Sequence, residues 1–129
     1  MIQRFIELGE GYSDIYELLE IGRTCRERAV RLLALHTVIN DRPATSAAVV
    51  MEPAAQGDFQ PIYICREGIP HPKYNPSKRY SLFEELAEVL GKQIIELDVK
   101  SSREFAEKDL YYQYLTGILR MNRYLPPLR

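Results

Sequence analysis

The sequence has few of the side chains that metal and redox sites need. Cys25 and Cys65 are its only cysteines, and His36 and His71 are its only histidines. These four residues form no Cys-x-x-Cys pair and show no spacing typical of zinc ligands. We therefore expect no metal site and no cofactor. Both cysteines are expected to be reduced thiols, as in a cytoplasmic protein.

Long apolar runs and a charge excess are also missing. No run approaches the roughly 20 residues that a membrane helix needs. Residues 1–7 carry charges inside an apolar stretch, unlike a secretory signal. The net charge is −1, so no overall field favours nucleic acid or an acidic membrane as a partner. We expect a cytoplasmic protein that binds neither membrane nor nucleic acid.

The composition is typical of one folded domain. The 129 residues are 46% hydrophobic and 27% charged, which is ordinary for a globular protein. This length is usual for a single domain and suffices for one sizeable core. No repeat, linker or composition change divides the chain. We predict a single domain spanning residues 1–129.

Hydrophobic periodicity predicts an α+β fold. Apolar alternation and continuous apolar runs predict five strands, at residues 2–8, 30–39, 45–51, 62–65 and 94–100. Three helices fill the intervals, so the order is β-α-β-β-β-α-β-α around one mixed sheet of about five strands. In the first strand, alternation places Gln3 and Glu7 on the face opposite Ile6. Segments 30–39 and 45–51 are apolar on both faces, so we expect adjacent, antiparallel, central strands.

Helix starts are indicated by capping patterns. Ser13 precedes Asp14 at the first helix, where the helix dipole favours an acid. Residues 81–84 and 101–104 each match the Ser-x-x-Glu capping box. They predict helices that begin near Ser81 and Ser102, the second ending near Tyr124.

The irregular segment 66–79 is basic and contains three prolines. Its cationic side chains and histidine are Arg66, His71, Lys73, Lys78 and Arg79. One interpretation is an anion-binding loop in which His71 donates a proton or contacts phosphate. The other is a solvated loop whose charges keep the chain soluble. Residues 80–109 instead hold eight acids and four bases, so charge is segregated by segment.

The last helix is unusually rich in tyrosine. Tyr111, Tyr112 and Tyr114 cannot all face one core, because adjacent helical positions point about 100° apart. Tyrosine and arginine are favoured at protein interfaces. The candidate interface residues are Tyr111, Tyr112, Tyr114, Arg120, Arg123 and Tyr124. We predict a homodimer, the alternative being a core helix with one tyrosine reaching solvent.

Two other patterns invite a catalytic interpretation. Residues 9–13 lead from a strand into a helix but lack the lysine of a P-loop and the third glycine of a dinucleotide fingerprint, so a tight turn is favoured. The element order also resembles the core of restriction-endonuclease-like nucleases. The acids near strand ends are Asp41, Glu52, Asp58 and Glu67. Residues 62–67 lack the acid and lysine that such a nuclease places on its third strand, so no catalytic residue is assigned.

Three segments carry a family resemblance. Residues 1–12 (MIQRFIELGEGY), 57–69 (GDFQPIYICREGI) and 111–122 resemble a family of short Bacillus-type cytoplasmic proteins without an established function. Some members carry the label methylthioribose kinase. The residues do not support that activity, because the phosphate-covering loop, paired lysine, catalytic aspartate and metal-binding acids of a kinase cannot be placed.

Two functions follow as hypotheses. The first is a non-enzymatic interaction or regulatory module that self-associates. The alternative is a small anion- or phosphate-handling enzyme, or a degenerate restriction-endonuclease-like protein, using the basic loop 66–79. Convergence of Arg66, His71 and Lys73 on one concave pocket would favour the alternative. His36, within an apolar strand, is predicted to be a buried histidine with satisfied hydrogen bonds.

Overall fold

The computed structural model describes residues 2–9 and 13–126, with the side chain of Ser13 left out. The strands are β1 (Gln3–Glu7), β2 (Ala29–Ile39), β3 (Arg42–Met51), β4 (Gln60–Ile64), β5 (Ile69–Pro70) and β6 (Ile94–Asp98). The α-helices are α1 (Ser13–Thr24), α2 (Lys78–Leu90) and α3 (Lys108–Met121), and 3-10 helices occur at Arg26–Arg28 and Ser102–Glu104. The predicted α+β fold, with one mixed sheet and three helices, is confirmed.

Five of the six strands run in the same direction, and β3 is the exception. The order is β1-β4-β3-β2-β6, with β5 pairing beyond β4 along β3. β1 is parallel to β4 and β2 is parallel to β6, whereas β3 is antiparallel to both of its long neighbours. The carboxyl ends of β1, β4, β2 and β6 therefore lie at one edge of the sheet, which we call the carboxyl edge.

The central pair of strands is as predicted. β2 and β3 are adjacent and antiparallel, in register from Leu32 opposite Val49 to Ile39 opposite Arg42. Both are flanked by other strands. Their continuous apolar sequences reflect helices on both faces. Alternate residues of each strand pack into two separate cores, so neither face could be polar.

The helices form a layer on each side of the sheet. α1 and α2 cover one face, where Leu18, Leu32 and Phe83 are fully buried in a common core. α3 covers the other face, where Leu115 and Leu119 pack with Leu33 and Ile62. The Gln3 and Glu7 face of β1 lies under α3 and not in open solvent, since Phe5 packs on Tyr112 there.

Two helix starts differ from the sequence prediction. α2 begins at Lys78, because Ser77 is the N-cap and its oxygen accepts the Tyr80 N–H at 3.3 Å. Ser81 lies within the helix and its hydroxyl donates to the Ser77 carbonyl. The capping box at residues 101–104 is confirmed, but it caps a 3-10 helix, and α3 begins later, at Lys108.

Candidate functional site

An interruption in the sheet opens its carboxyl edge. β4 pairs with β3 up to Ile64 opposite Ala48, and the Cys65 N–H still donates to the Ala47 carbonyl at 2.9 Å. Pairing resumes in β5, with Ile69 opposite Thr45. Residues 66–68 therefore leave the ladder opposite Ser46. Such irregularities often occur beside functional sites because they redirect side chains and end pairing locally.

A cavity of about 560 Å³ lies at this interruption. We call it the edge cleft. The end of β1, the start of α1, residues 64–69 and the start of α3 line it. Four cationic side chains from separate segments contribute to its walls, namely Arg66, Arg79, Arg103 and Lys108. In sheets with parallel strands, ligands characteristically bind outside the carboxyl ends of the strands. The edge cleft lies at such a position.

Glu7, at the end of β1, ties three elements together at the cleft. Its carboxylate accepts from Lys108 Nζ at 2.6 Å, from Arg66 Nε at 3.2 Å and from the Tyr112 hydroxyl at 3.3 Å. Burial raises the pKa of Glu7, but these donors, led by Lys108, outweigh it and hold that pKa below its ordinary value of 4.5. Glu7 is therefore an ionised carboxylate whose charge is neutralised within the chain.

The loop that leaves the ladder is held from both sides. Glu67 accepts the backbone N–H of Ser102 at 3.1 and 3.3 Å, and it also accepts the Ser102 hydroxyl. On the other side, Arg79 Nη2 donates to the Gly68 carbonyl at 3.0 Å. These contacts fix residues 66–68 in place and keep the cleft open.

Two buried polar atoms of the cleft lack hydrogen-bond partners. Asp14 is 4% exposed; its Oδ2 accepts the Arg66 backbone N–H at 3.2 Å, whereas its Oδ1 has no partner. Ser46 is 1% exposed and its Oγ has no partner. Both residues line the edge cleft. An unsatisfied buried polar atom costs roughly 1–3 kcal/mol, so such atoms are characteristic of places where a ligand or water binds.

Cys65 also lines the cleft, as a buried thiol. Burial, followed by the charges of Asp14 and Glu17, raises the pKa of this thiol to about 12. The reactive thiolate is therefore scarce at neutral pH. Metal chemistry has no ligand set in residues 2–9 and 13–126, where no three His, Cys, Asp or Glu side chains are grouped suitably.

Comparison with known proteins identifies the family. A family model described as Domain of unknown function (DUF7147) matches residues 1–125. The chain belongs to this family. No curated protein and no solved structure matches the chain. Membership of a family without an assigned function agrees with the resemblance, and the match carries nothing about Bacillus-type sources or a kinase label. Within the described parts of the DUF7147 chain, no helix has the length and apolar character needed to cross a membrane.

The five predicted anion-binding residues of the DUF7147 chain are not brought to one place. Arg66 and Arg79 line the edge cleft. His71 lines a second cavity, of about 600 Å³, also at the carboxyl edge. Lys73 lies over the Tyr74 ring at 5.6 Å, and Lys78 is the exposed first residue of α2. The basic segment therefore serves two cavities and does not form one loop site.

His36 in the second cavity is buried and hydrogen-bonded, as predicted. Its Nδ1 lies 2.7 Å from Thr45 Oγ1, and its Nε2 lies 2.9 Å from Glu96 Oε1. The ring also stacks on His71, with centroids 3.9 Å apart. This contact joins β2 to the segment after β5, which the sequence did not predict.

The tyrosines of α3 in the DUF7147 chain are largely covered within the chain. Tyr111 is buried, Tyr112 stacks on Phe5 at 4.7 Å, and the Tyr114 hydroxyl accepts the Lys100 N–H at 3.0 Å. The other candidate interface residues also lie near α3: Arg120 donates to Gln3, Arg31 lies over Tyr124, and exposed Arg123 follows the helix with φ +63°. Tyrosine crowding therefore does not by itself require a partner, and self-association stays a prediction.

The remaining sequence candidates do not assemble into a nuclease-like centre. Asp41 lies in the β2–β3 turn and Glu67 at the edge cleft, both at the carboxyl edge. Glu52 follows β3 and Asp58 precedes β4, so both lie at the opposite edge. Of the predicted strand-to-helix turn at residues 9–13, residues 10–12 lie outside the described residues.

Sequence reasoning missed several residues of the cleft. Asp14 was interpreted as a helix-dipole partner, and it does lie in the first turn of α1. Ser46 lies in the segment 45–51 that was predicted to be a buried strand, and Arg103 and Lys108 lie in the segment that was predicted to be the last helix. The signal that could have found Ser46 is its position among apolar residues predicted to be buried on both faces.

Proposed function

We propose that the chain is a non-enzymatic binding module that takes a small anion, a carboxylate or a phosphate, in the edge cleft. The observation that carries the proposal is the convergence of four cationic side chains on one cavity from separate segments of the chain, namely Arg66, Arg79, Arg103 and Lys108. Cationic side chains with N–H donors are the usual recognition elements for carboxylate and phosphate groups. The two free thiols suit the cytoplasmic location that is part of this proposal.

The balance of charge in the cleft supports an anionic ligand, because four cationic side chains line it with three carboxylates. The charge of Glu7 is neutralised by Arg66 and Lys108, and the carboxylate of Glu67 accepts hydrogen bonds from Ser102. Arg103 is exposed at the mouth of the cleft. Its guanidinium can form two parallel hydrogen bonds to a carboxylate or phosphate. The first turn of α3, which begins at Lys108, adds the positive end of a helix dipole on the same side.

A binding role fits the cleft better than catalysis. The thiol of Cys65 is held in its protonated form, and the Ser46 hydroxyl has no base beside it to remove its proton. The carboxylate of Glu7 has a lowered pKa, so it is a poor general base at neutral pH.

Calorimetric titration tests the proposal. Sodium phosphate and sodium acetate are titrated into the chain at constant ionic strength held with sodium chloride. We expect saturable binding of at least one anion, weakened about tenfold or more by Arg103→Gln, since a hydrogen bond to a charged group contributes roughly 1.5–3 kcal/mol. The matched control is Arg26→Gln, because Arg26 is also an exposed arginine in a 3-10 helix but lies away from the cleft. Heats no larger than those of chloride, or equal effects of the two variants, would refute the proposal.

The second candidate function is self-association through the outer side of α3. Leu110 and Met121 are 46% and 84% exposed. Gly117 lies between them, and no atom beyond its chain neighbours and the backbone of its own helix lies within 4 Å of a Cβ built there. A symmetric contact could bury these side chains against their copies. Sedimentation at micromolar concentration should show a dimer that Met121→Glu dissociates. The control Val89→Glu, on exposed α2 surface, should leave it intact. A monomeric wild type excludes this function.

A further inference from the structure

The edge cleft contains buried hydrogen-bond acceptors that the binding of an anion would leave unpaired. Asp14, at its base, is nine-tenths buried or more and keeps Oδ1 without a partner. A carboxylate oxygen can only accept hydrogen bonds, so the group that satisfies it must be a donor. Ionised acetate has no such donor, and the hydroxyl that phosphate keeps at neutral pH would bring the negative charge of the phosphate against the Asp14 carboxylate. The unpartnered atom therefore points to a second feature of the ligand.

Ser46 provides an independent polar group in the same cleft. Its hydroxyl is buried, unpartnered and opposite the interruption between β4 and β5. It can accept a hydrogen bond from a donor as well as donate one. The main chain of β3 fixes its position, since Thr45 and Ala47 on either side are bonded to neighbouring strands. Asp14 and Ser46 thus offer two acceptor oxygens to one cavity.

Burial separates these oxygens from the cations. Asp14 and Ser46 are almost wholly buried, whereas the side chains of Arg66 and Lys108 are 49% and 65% exposed. Acceptors therefore lie deep in the cleft and cations lie towards its mouth. A ligand that satisfies both regions carries its donor or positive group inward and its negative group outward.

From this arrangement we infer that the cleft binds a small zwitterion of the amino-acid class, with the ammonium group at Asp14 and the carboxylate at the arginines and Lys108. The inference rests on the proposed function and narrows its ligand. A buried carboxylate is a strong partner for an ammonium group because both charges are shielded from water. Ile15, Ile69 and Tyr111 also line the cleft and offer apolar surface to a side chain.

The test compares amino acids with the same molecules lacking the amine. The full chain is titrated calorimetrically with alanine, leucine and phenylalanine, and with propionate, 4-methylpentanoate and 3-phenylpropionate. We expect at least one amino acid to bind about tenfold more tightly than its deaminated partner, the usual size of one charge-assisted hydrogen bond. Asp14→Asn should abolish that preference, whereas the control Arg26→Gln, away from the cleft, should leave it intact. Ser46→Ala should reduce the preference and serves as the readout if Asp14→Asn does not fold.

The outcomes separate this inference from the proposed function. Equal affinities for an amino acid and its deaminated partner, as expected if Asp14 binds only water, overturn the zwitterion inference. A preference that survives both Asp14→Asn and Ser46→Ala overturns it as well. If the deaminated acids or phosphate still bind and depend on Arg103, the anion site stands and only the inference fails. If no anion and no amino acid binds, both fail.

Discussion

Glu7 shows how one carboxylate can connect distant segments. It is separated from Lys108 by 101 residues, yet the two side chains are 2.6 Å apart and join the end of β1 to the start of α3. Burial alone would raise the pKa of Glu7, so its lowered pKa reflects the donors around it, chiefly Lys108. The same donors line the edge cleft, so this interaction also sets the charge that a ligand would meet.

The lowered pKa of Glu7 predicts that the folded chain loses stability in acid. Because its pKa is lower in the folded chain, its contribution is fully present above the ordinary value of 4.5 and is lost as pH falls through the folded pKa. Thermal unfolding should show wild type more stable than Glu7→Gln at pH 7, with the difference shrinking below pH 4.5. Glu85→Gln, on the exposed side of α2, is the control. A difference that does not change with pH contradicts this account of Glu7.

His71, which stacks on His36 in the second cavity, responds to pH in the same direction as Glu7. His71 Nδ1 accepts the Lys73 N–H at 3.1 Å, so that nitrogen carries no proton. Burial and then the neighbouring His36 lower the pKa of His71, and Lys73 lowers it further, against the raising effects of Glu96 and Asp98. Protonation would break the hydrogen bond from Lys73 and bring positive charge against the His36 ring.

We therefore expect His71 to destabilise the fold as it is protonated. Its contribution is present above the ordinary pKa of 6.5 and is lost as pH falls through the lowered folded value. Urea unfolding between pH 7.5 and 5.5 should show a decline for wild type that is shallower for His71→Gln. Equal slopes for the two proteins would show that His71 does not titrate in this way.

The contact between α1 and α2 depends on a glycine. A Cβ built on Gly22 would lie 2.8 Å from Leu86 Cδ2, and Leu86 is fully buried. The same position on Gly117 in α3 has no atom within 4 Å beyond its chain neighbours and the backbone of its own helix. The two glycines have the same helical setting but opposite surroundings, so they form a matched pair.

Alanine should have opposite effects at these two positions. Gly22→Ala is expected to destabilise the chain by about 1–3 kcal/mol through overpacking against Leu86, less the helix-propensity gain. Gly117→Ala is expected to stabilise it by about 0.5–1 kcal/mol. Chemical denaturation of both variants checks the pair. A stabilising Gly22→Ala would mean that α1 and α2 are not packed this closely.

The helices and strands were predicted correctly where the sequence pattern favoured a single structure. β2 and β3 were identified because the predominantly apolar segments 30–39 and 45–51 favour strands that are buried on both faces. The start of α2 was misplaced because Ser77 and Ser81 are both possible caps. The earlier start, after Ser77, places Tyr80 within the helix, where its buried ring packs against Phe83. The two-residue strand β5 has too few residues to produce any periodic pattern.

The edge cleft could be predicted only in part, since it depends on strand order. The sequence identified Arg66 and Arg79 as candidate anion ligands but treated segment 66–79 as one unit. Pairing of both β4 and β5 with β3 divides that segment, so Arg66 joins the edge cleft and His71 the second cavity. Asp14 meets the Arg66 backbone across 52 residues, and local sequence patterns carry no information about such contacts.

The common direction of every strand except β3 explains why both cavities lie at one edge of the sheet. The ends of β1, β4, β2 and β6 place Glu7, Arg66, His36 and Asp98 at the carboxyl edge. The opposite edge carries the Arg26–Arg28 3-10 helix and the β3–β4 connection, including Asp58. A ligand-binding function is therefore expected at the carboxyl edge, and the opposite edge supplies internal controls.

An NMR titration of the ¹⁵N-labelled chain with sodium phosphate and sodium acetate tests the central claim most directly, because it locates binding as well as detecting it. With chloride holding the ionic strength constant, we expect saturable amide shifts at residues 66–69, 102–103 and 108–112 that are strongly reduced in Arg103→Gln. Shifts that rise linearly without saturation, or that centre on residues 26–29 and 52–60 at the opposite edge, would contradict an anion site in the edge cleft.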